Sequence, residues 1–178
     1  MIGLLGGAFD PPHNGHVALA DAAERQLGLE RVVVVVVADP GHKEVHLPAE
    51  ARLRLAKLAF PVREVVLDRH PRTVDMLREG RWDEPVLIIG ADEFLDFGTW
   101  KEPERVLELA RLGVAARPGY AVGTADAMDR VLFFESAPVP VSSREIREKI
   151  VRGEPIDGLV PPGVAAAIAD EGLYRGLD

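Results

Sequence analysis

Two kinds of hydrophobic pattern alternate along the chain. Short apolar runs, several of them rich in valine and isoleucine, predict buried strands, and longer stretches with apolar residues three or four positions apart predict helices. The run VVVVVVA at residues 32–38 has the composition of a strand that is buried on both faces. The predicted strands span residues 2–5, 32–38, 62–67, 86–89, 112–116 and 131–134.

Helical spacing is clearest in the segment that follows the first strand. Leu19, Ala20, Ala23 and Leu27 recur at the spacing of one helix face, and Gly28 lies where such a helix would end. The predicted helices span residues 16–27, 48–60, 73–79, 103–111, 142–152 and 162–171. This alternation predicts a Rossmann-like, doubly wound α/β fold, with a mostly parallel sheet and helices on both of its faces.

The composition fits one globular domain. With 178 residues, 47% of them hydrophobic, the chain can bury a substantial core, and it contains no internal repeat or low-complexity linker. We expect a single domain over residues 1–178, with a C-terminal helical segment, about 142–178, packed on it. No apolar run reaches the roughly 18 residues of a membrane span, and no basic segment before an apolar stretch indicates a secretory signal.

Cysteine content and net charge narrow the choice of compartment and partners. The absence of cysteine excludes disulfides and thiolate zinc sites and is compatible with the reducing cytoplasm, where we expect the protein. The formal net charge of −8 argues against nonspecific binding along a nucleic acid. A small anionic ligand is compatible with that charge, because a pocket can be locally positive inside an acidic protein.

Loops rich in polar residues and glycine follow three of the predicted strands. In open α/β sheets, ligands bind at the carboxyl ends of the strands, near a switch in strand order. The loop GGAFDPPHNGH at residues 6–16 follows the first strand, residues 39–43 follow the second, and residues 90–92 follow a later one. The sequence therefore predicts one binding site at this edge of the sheet.

The opening loop has three interpretations. Its glycines lack the spacing of a dinucleotide fingerprint or a P-loop, yet they permit close backbone approach, and His16 lies near a helix N-terminus, which attracts anions. A phosphate site is therefore one interpretation. A metal site is another, because His13 and His16 are three residues apart, although no H-E-x-x-H pattern is present. A structural turn set by Pro11 and Pro12 is the third.

The segment VSSREIREKI at residues 141–150 predicts the start of a helix. Ser142 followed by Glu145 is a capping box, which many helices carry for structural reasons alone. The same helix start presents backbone N–H groups, two hydroxyls and the side chain of Arg147, a set of donors suited to a polyphosphate. The residues alone leave both interpretations open.

Taken together, the two segments resemble the nucleotidylyltransferase superfamily. Its hallmarks are an H-x-G-H loop and a serine-rich helix start followed by arginine, which GGAFDPPHNGH and VSSREIR match. The middle of the chain resembles the bacterial nicotinate-nucleotide adenylyltransferases in PGHK at 40–43, RTVDML at 72–77, IIGADEFLDFGTW at 88–100 and LGVAARPGY at 112–120. The departures are Arg144, where the family usually has threonine, and PGHK in place of the common P-P-H-K.

The resemblance implies transfer of AMP from ATP to nicotinate mononucleotide in NAD biosynthesis, giving deamido-NAD (nicotinate adenine dinucleotide) and pyrophosphate, with Mg²⁺. The implied catalytic residues are His13, His16, Lys43 and Arg147, with His16 as the main transition-state stabiliser. The implied ATP-binding residues are Gly6, Gly7, Phe9, Asp10, His13, His16, Gly90, Asp92, Ser142, Ser143 and Arg147. The implied acceptor-binding residues are Thr73, Asp92, Trp100, Lys101 and Arg117. No residue is assigned to Mg²⁺.

Two of the acceptor residues also have a second explanation. The resemblance implies that Trp100 stacks on the nicotinate ring, with Thr73 and nearby backbone N–H groups at its carboxylate, whereas many tryptophans simply pack in a core. Arg117 would reach the substrate phosphate or pair with an acidic neighbour. Trp82 lies in the charged segment GRWDE and is given no role.

Two other functions are open as alternatives. Phosphopantetheine adenylyltransferases, which act in coenzyme A biosynthesis, are similar at both ends but usually have threonine at the position of His13 and lack the G-A-D…W segment. A non-catalytic nucleotide-binding regulator would keep the fold alone, which the retained His13, His16, Lys43 and Arg147 argue against. The expected partners are ATP and nicotinate mononucleotide, with no nucleic acid and no membrane, and a homo-oligomer is left open.

Overall fold

Six strands form one sheet in the computed structural model, which describes residues 1–41, 44–116, 129–137 and 139–176. The strands are β1 (Ile2–Gly7), β2 (Arg31–Val37), β3 (Val65–Asp68), β4 (Val86–Gly90), β5 (Arg111–Ala116) and β6 (Val131–Glu135). Their order in the sheet is β3-β2-β1-β4-β5-β6, and all neighbouring strands are parallel. The predicted parallel α/β fold is therefore confirmed.

Helices cover both faces of this sheet. They are α1 (Asn14–Gln26), α2 (Ala49–Ala59), α3 (Thr73–Arg78), α4 (Ala91–Leu95), α5 (Pro103–Leu109), α6 (Ser143–Val151) and α7 (Pro162–Glu171), with a 3-10 turn at Phe97–Thr99. The sequence pattern does not predict α4 or the 3-10 turn, because elements this short show no helical periodicity. Acidic side chains in the first turn of α4, those of Asp92 and Glu93, favour a helix start directly after β4.

The structure corrects the predicted bounds of two elements. The third strand begins at Val65 rather than at residue 62, because the N–H of Arg63 bonds the carbonyl of Phe60 in a turn that leaves Val62 94% exposed. Arg111, which the pattern assigns to the end of a helix, begins β5 instead, where its N–H bonds the carbonyl of Pro85. The other predicted bounds lie within two residues of those observed.

The side chains of β2 enter the hydrophobic core on both faces of the sheet. Val32, Val34 and Val36 belong to the cluster that includes buried residues of α1, α2 and α7. Val33 and Val35 belong to the cluster on the opposite face, together with buried residues of α3 and α5. This is the arrangement that the unbroken valine run predicts, because successive side chains of a strand point to opposite faces.

The strand order places the carboxyl ends of β1 and β4 next to each other. The chain first adds β2 and β3 on one side of β1, and then returns to add β4, β5 and β6 on the other side. Such a reversal is the point at which open α/β sheets bind their ligands. The histidine-bearing loop, residues 8–13 between β1 and α1, begins at this point.

The C-terminal helix α7 packs against α2. The assignment of residues 1–178 to one domain, with residues from about 142 onward packed on it, stays a prediction. Among the helices in the described part of the chain, none combines the length and the apolar character needed to cross a membrane.

Candidate active site

A buried aromatic ring anchors the histidine-bearing loop. Phe9 adopts a left-handed backbone conformation, with φ of 51°, which few residues other than glycine tolerate. Its ring is 1% exposed and meets the rings of His16 and Phe60 edge-on, at centroid distances of 4.9 and 6.0 Å. The packing of this ring therefore fixes the turn that leads into α1.

Asp10, in the same loop, bonds several distant segments of the chain. One of its carboxylate oxygens accepts a hydrogen bond from Tyr174 Oη at 2.8 Å, and the other accepts one from the backbone N–H of His46 at 2.6 Å. The Asp10 carbonyl accepts a hydrogen bond from Arg147 Nη1 at 2.6 Å. Burial beside this carboxylate raises the pKa of the Tyr174 hydroxyl, which therefore keeps its proton. Asp10 thus connects the loop to three other parts of the chain.

His13 and His16 form a stacked pair at the start of α1. Their ring centroids are 3.7 Å apart and their planes are inclined by 26°. The backbone N–H of His13 donates to His16 Nδ1 at 3.2 Å, so the neutral form of His16 carries its proton on Nε2. An imidazole N–H of this kind can donate a hydrogen bond to a phosphoryl oxygen.

His13 is uncharged at neutral pH. Burial lowers its pKa to about 4, and the nearby Glu145 carboxylate opposes this only in part. Its Nδ1 is buried without a hydrogen-bond partner among the described residues. Gly15 makes room for the ring, because a Cβ atom at that position would lie 3.0 Å from both Nδ1 and Cε1 of His13. The glycine of the H-x-G-H pattern therefore has a steric reason here.

The start of α6 forms a second wall of the site. Ser142 Oγ accepts a hydrogen bond from the backbone N–H of Glu145 at 3.2 Å, which confirms the serine half of the predicted capping box, and it donates its own proton to Glu145 Oε2 at 2.7 Å. Ser143 Oγ donates to the carbonyl of Pro11 at 2.8 Å and ties α6 to the histidine-bearing loop. Because both hydroxyl protons and the N–H of Glu145 are used within the protein, the donors that α6 offers to an anion are the other backbone N–H groups of its first turn.

One open cleft of about 1330 Å³ lies between these walls. It is lined by all of the residues that the motifs predict to bind ATP, although the Asp10 carboxylate itself is turned toward Tyr174 and His46. Their roles as ligands stay predictions. The predicted residues that line the cleft are Gly6, Gly7, Phe9, Asp10, His13, His16, Gly90, Asp92, Ser142, Ser143 and Arg147.

Most of the predicted acceptor residues form a separate group beside α3. Lys101 Nζ contacts both carboxylate oxygens of Asp75, at 3.0 and 3.2 Å, which brings its segment to the first turn of the helix that begins at Thr73. The half-buried ring of Trp100 packs against Phe97 at a centroid distance of 5.3 Å. None of Thr73, Trp100 and Lys101 is among the described residues that line the cleft. Of the described members of this set, Asp92 alone lines it.

Two further predicted residues, Lys43 and Arg117, lie outside the described residues. Their assignment to catalysis and to acceptor binding therefore stays a prediction.

The comparisons with known proteins agree with the motifs. The cytidylyltransferase-like family matches residues 4–149. A probable nicotinate-nucleotide adenylyltransferase of Thermus thermophilus is 44% identical, over 98% of this chain and 99% of the relative. A second one, from a Roseiflexus species, is 34% identical over 98% of each chain. The chain belongs to the nicotinate-nucleotide adenylyltransferase family.

Solved structures of adenylyltransferases share the fold. The Plasmodium falciparum nicotinic acid mononucleotide adenylyltransferase complexed with NaAD matches with a TM-score of 0.78, covering 97% of this chain and 96% of that one, at 16% identity. The structure of the same protein complexed with APC gives a TM-score of 0.74 at 17% identity. The fold that the family resemblance implies is thereby confirmed.

Sequence reasoning missed three residues that bond the histidine-bearing loop at the candidate site. Tyr174 and His46 both bond the Asp10 carboxylate, and His46 also lines the cleft. No local pattern connects these residues to Asp10. The third, Arg52, is buried in α2 and does leave a signal, because a charged residue there shares a helix face with the apolar residues Leu55 and Ala56.

Proposed function

We propose that this chain transfers the adenylyl group of ATP to nicotinate mononucleotide, forming deamido-NAD and pyrophosphate as a step of NAD biosynthesis. Its membership of the nicotinate-nucleotide adenylyltransferase family supports this reaction. The observation that carries the proposal is the cleft at the switch point, which the His13–His16 pair, the start of α6 and Arg147 all line. The absence of cysteine is compatible with the cytoplasm, where we place the reaction.

The reaction needs positioning and charge stabilisation rather than a covalent intermediate. A phosphate oxygen of the acceptor attacks the α-phosphorus of ATP, the bond from that phosphorus to the bridging oxygen breaks, and pyrophosphate leaves. Because both reactants are anions, the protein must hold them in line and neutralise the charge that develops in the transition state. Imidazoles, a guanidinium group and a helix N-terminus are suitable donors for this purpose.

Each donor has a proposed part in this scheme. His16 stabilises the transition state through the proton on Nε2, and His13 contacts the phosphates of ATP beside it. Arg147 donates to a phosphate while its Nη1 stays on the Asp10 carbonyl, so the loop itself orients the guanidinium group. Lys43 is proposed to hold a phosphate on the strength of the PGHK motif alone.

Mg²⁺ is proposed to enter the site together with ATP. The described residues contain no group of three or more histidines, aspartates or glutamates that could hold a metal ion. The cleft wall does include single carboxylates, those of Asp92 and Glu44 among them. This donor set fits Mg²⁺, which proteins usually hold through one or two carboxylates and the phosphates of the substrate. The bound ion would neutralise part of the triphosphate charge.

The group beside α3 is proposed to bind the acceptor. Trp100 would stack on the nicotinate ring, and Thr73 would lie at its carboxylate, with Lys101, Asp92 and Arg117 completing the set. The half-buried position of the Trp100 ring supports this role, because part of its surface is open to a ligand. The proposed partners are thus two small molecules, ATP and the mononucleotide.

A panel of acceptors tests the proposed reaction. The purified protein is incubated with ATP and Mg²⁺ and, separately, with nicotinate mononucleotide, nicotinamide mononucleotide and phosphopantetheine, and the release of pyrophosphate is measured. We expect release with nicotinate mononucleotide, and deamido-NAD as the second product. Release with phosphopantetheine alone would assign the chain to coenzyme A biosynthesis, and binding of ATP without turnover of any acceptor would make it a nucleotide-binding regulator.

A further inference from the structure

Arg52 is a buried cation close to the cleft that no motif assigns. It lies in α2, is 1% exposed, and is the largest fully buried side chain among the described residues. A charged group is costly to bury unless hydrogen bonds and nearby charges compensate for the lost water. The contacts that provide this compensation show what Arg52 does.

The Arg52 guanidinium group binds backbone carbonyls from three segments. Nη1 donates to the carbonyl of Ala8 at 2.7 Å and to that of Val37 at 2.8 Å. Nη2 donates to the carbonyl of Ala38 at 2.7 Å, and Nε donates to that of Leu47 at 3.0 Å. The planar fork of an arginine matches acceptors spread in this way, whereas a lysine ammonium group places all its protons on one atom.

One of these carbonyls belongs to a residue that lines the cleft, and the other three lie at the two ends of a connection whose middle reaches it. Ala8 lies in the histidine-bearing loop, immediately before Phe9, and itself lines the cleft. Val37 and Ala38 lie where β2 ends, and Leu47 lies at the other end of the connection to α2. Arg52 therefore joins the histidine-bearing loop to both ends of the β2–α2 connection, in which His46 and Glu44 also line the cleft.

The charge of Arg52 is compensated from the same loop. Burial lowers the pKa of its guanidinium group, and the Asp10 carboxylate opposes this lowering only in part. That carboxylate accepts hydrogen bonds from Tyr174 and from the His46 backbone, so the anion is held in place by residues of two other segments. Arg52 and Asp10 are thus two buried groups of opposite charge that stabilise each other next to the cleft.

We propose that Arg52 is a positioning residue for adenylyl transfer, an inference that rests on the proposed function. It does not touch the substrates. It sets the distance between the histidine-bearing loop and the β2–α2 connection. The hydrogen-bond donors of the site are thereby held where they orient the triphosphate for in-line attack. A displacement of about 1 Å in such a site costs roughly 10²-fold in rate.

The test compares Arg52→Lys with Arg63→Lys. Arg63 is a suitable control because it is also a largely buried arginine, but it pairs with the carboxylates of Asp21 and Glu24 on α1 instead of the backbone carbonyls that Arg52 binds. Measured well below the melting temperature of each variant, Arg52→Lys should lower kcat roughly 10- to 100-fold and raise the KM for ATP by a much smaller factor. Arg63→Lys should keep the kcat of the wild type. An unchanged kcat in Arg52→Lys, with only a lower melting temperature, would show that Arg52 contributes to stability alone and would overturn the proposal.

A second variant covers the case in which Arg52→Lys does not fold. Arg52→Ala leaves a cavity that methylguanidinium, at millimolar concentration, can fill with the same planar donors. In Arg52→Ala we expect saturable recovery of kcat and of the melting temperature together, with no recovery from ammonium, whereas methylguanidinium should leave the kcat of Arg63→Ala unchanged. Recovery of the melting temperature without kcat would overturn the proposal.

The outcome is separable from that of the proposed function. Turnover of nicotinate mononucleotide by the wild type tests the function, whereas the ratio of variant to wild-type kcat tests Arg52. If the acceptor panel identifies a different acceptor, the ratio is measured with that acceptor, and the proposed function alone is rejected.

Discussion

His13 and His16 differ in chemistry although they lie three residues apart. His16 accepts a backbone hydrogen bond on Nδ1 and so presents a proton on Nε2. His13 is buried, and burial keeps its ring uncharged. The sequence predicts the pair but not this division, because the tautomer and the pKa depend on the fold of the loop around the two rings.

The protein should become less stable as the pH falls, because His13 takes up a proton more readily in the unfolded chain than in the folded protein. Its pKa is about 4 in the folded protein against an ordinary value of 6.5, so between these values the unfolded chain binds a proton that the folded protein does not. The free energy of unfolding therefore decreases as pH falls from about 6.5 to 4, by up to about 3 kcal/mol. Urea unfolding of the wild type and of His13→Gln, at several pH values, measures this contribution.

Comparing the wild type with His13→Gln removes the contribution of all other titratable groups, because both proteins contain them. The wild type should lose stability relative to His13→Gln across this range, because the variant has no imidazole to protonate at position 13. Identical pH dependence in the two proteins would show that His13 is protonated as easily in the folded state as in the unfolded state.

Gly15 should be needed for the position of His13. In Gly15→Ala the new Cβ would lie 3.0 Å from two atoms of the His13 ring, so the stacked pair must shift by a few tenths of an ångström. We expect kcat to fall about 10-fold or more, since small displacements of transition-state donors are costly. Gly163→Ala in α7 is the control, because its Cβ would meet its nearest neighbour at an ordinary 3.7 Å. Equal kcat values in both variants would contradict the steric role of Gly15.

At the scale of elements, strands and long helices are predictable from the hydrophobic pattern. The valine run of β2 and the helical spacing of α1 each match an observed element closely, because burial imposes their period. The helix α4 and the 3-10 turn escape prediction because they are too short to show a period, although they connect β4 to the Trp100 segment. That connection decides where the proposed acceptor group lies.

The Trp100 segment should affect the acceptor and not ATP. Trp100 lies after the 3-10 turn, Lys101 contacts Asp75 of α3, and neither residue is among the described residues that line the cleft. In Trp100→Ala we expect a raised KM for nicotinate mononucleotide, by roughly 10-fold or more from lost stacking, with the KM for ATP kept. Steady-state kinetics with each substrate varied in turn measures both.

Trp82→Ala is the matched control for this change. Trp82 is the other tryptophan of the chain, and the Arg81 guanidinium carbon lies 4.8 Å from its ring centroid. It has no proposed role in binding, so its replacement should leave both KM values unchanged. An unaltered acceptor KM in Trp100→Ala would identify Trp100 as a packing residue of this region.

At the scale of the whole molecule, the site is assembled from segments far apart in the chain. Ser143 bonds Pro11, Arg147 bonds the Asp10 carbonyl, and Tyr174 bonds the Asp10 carboxylate across 164 positions. Motifs identify the two walls of the cleft because their residue types suit phosphate. The sequence does not identify Tyr174, since its contact depends on how the C-terminal segment packs. It marks Arg52 only as a charge on an apolar helix face.

The central claim is that the His13–His16 pair, with His16 as the main donor, stabilises the transition state of adenylyl transfer. His16→Ala tests it most directly, by the single-turnover rate of deamido-NAD formation together with the Kd for ATP. His70→Ala is the control, since His70 bonds Asp68 at 2.6 Å and is not among the described residues of the cleft. We expect His16→Ala to lower the rate by roughly 10²-fold or more while the Kd for ATP changes far less, as removal of a transition-state donor requires. A wild-type rate in His16→Ala would contradict the account.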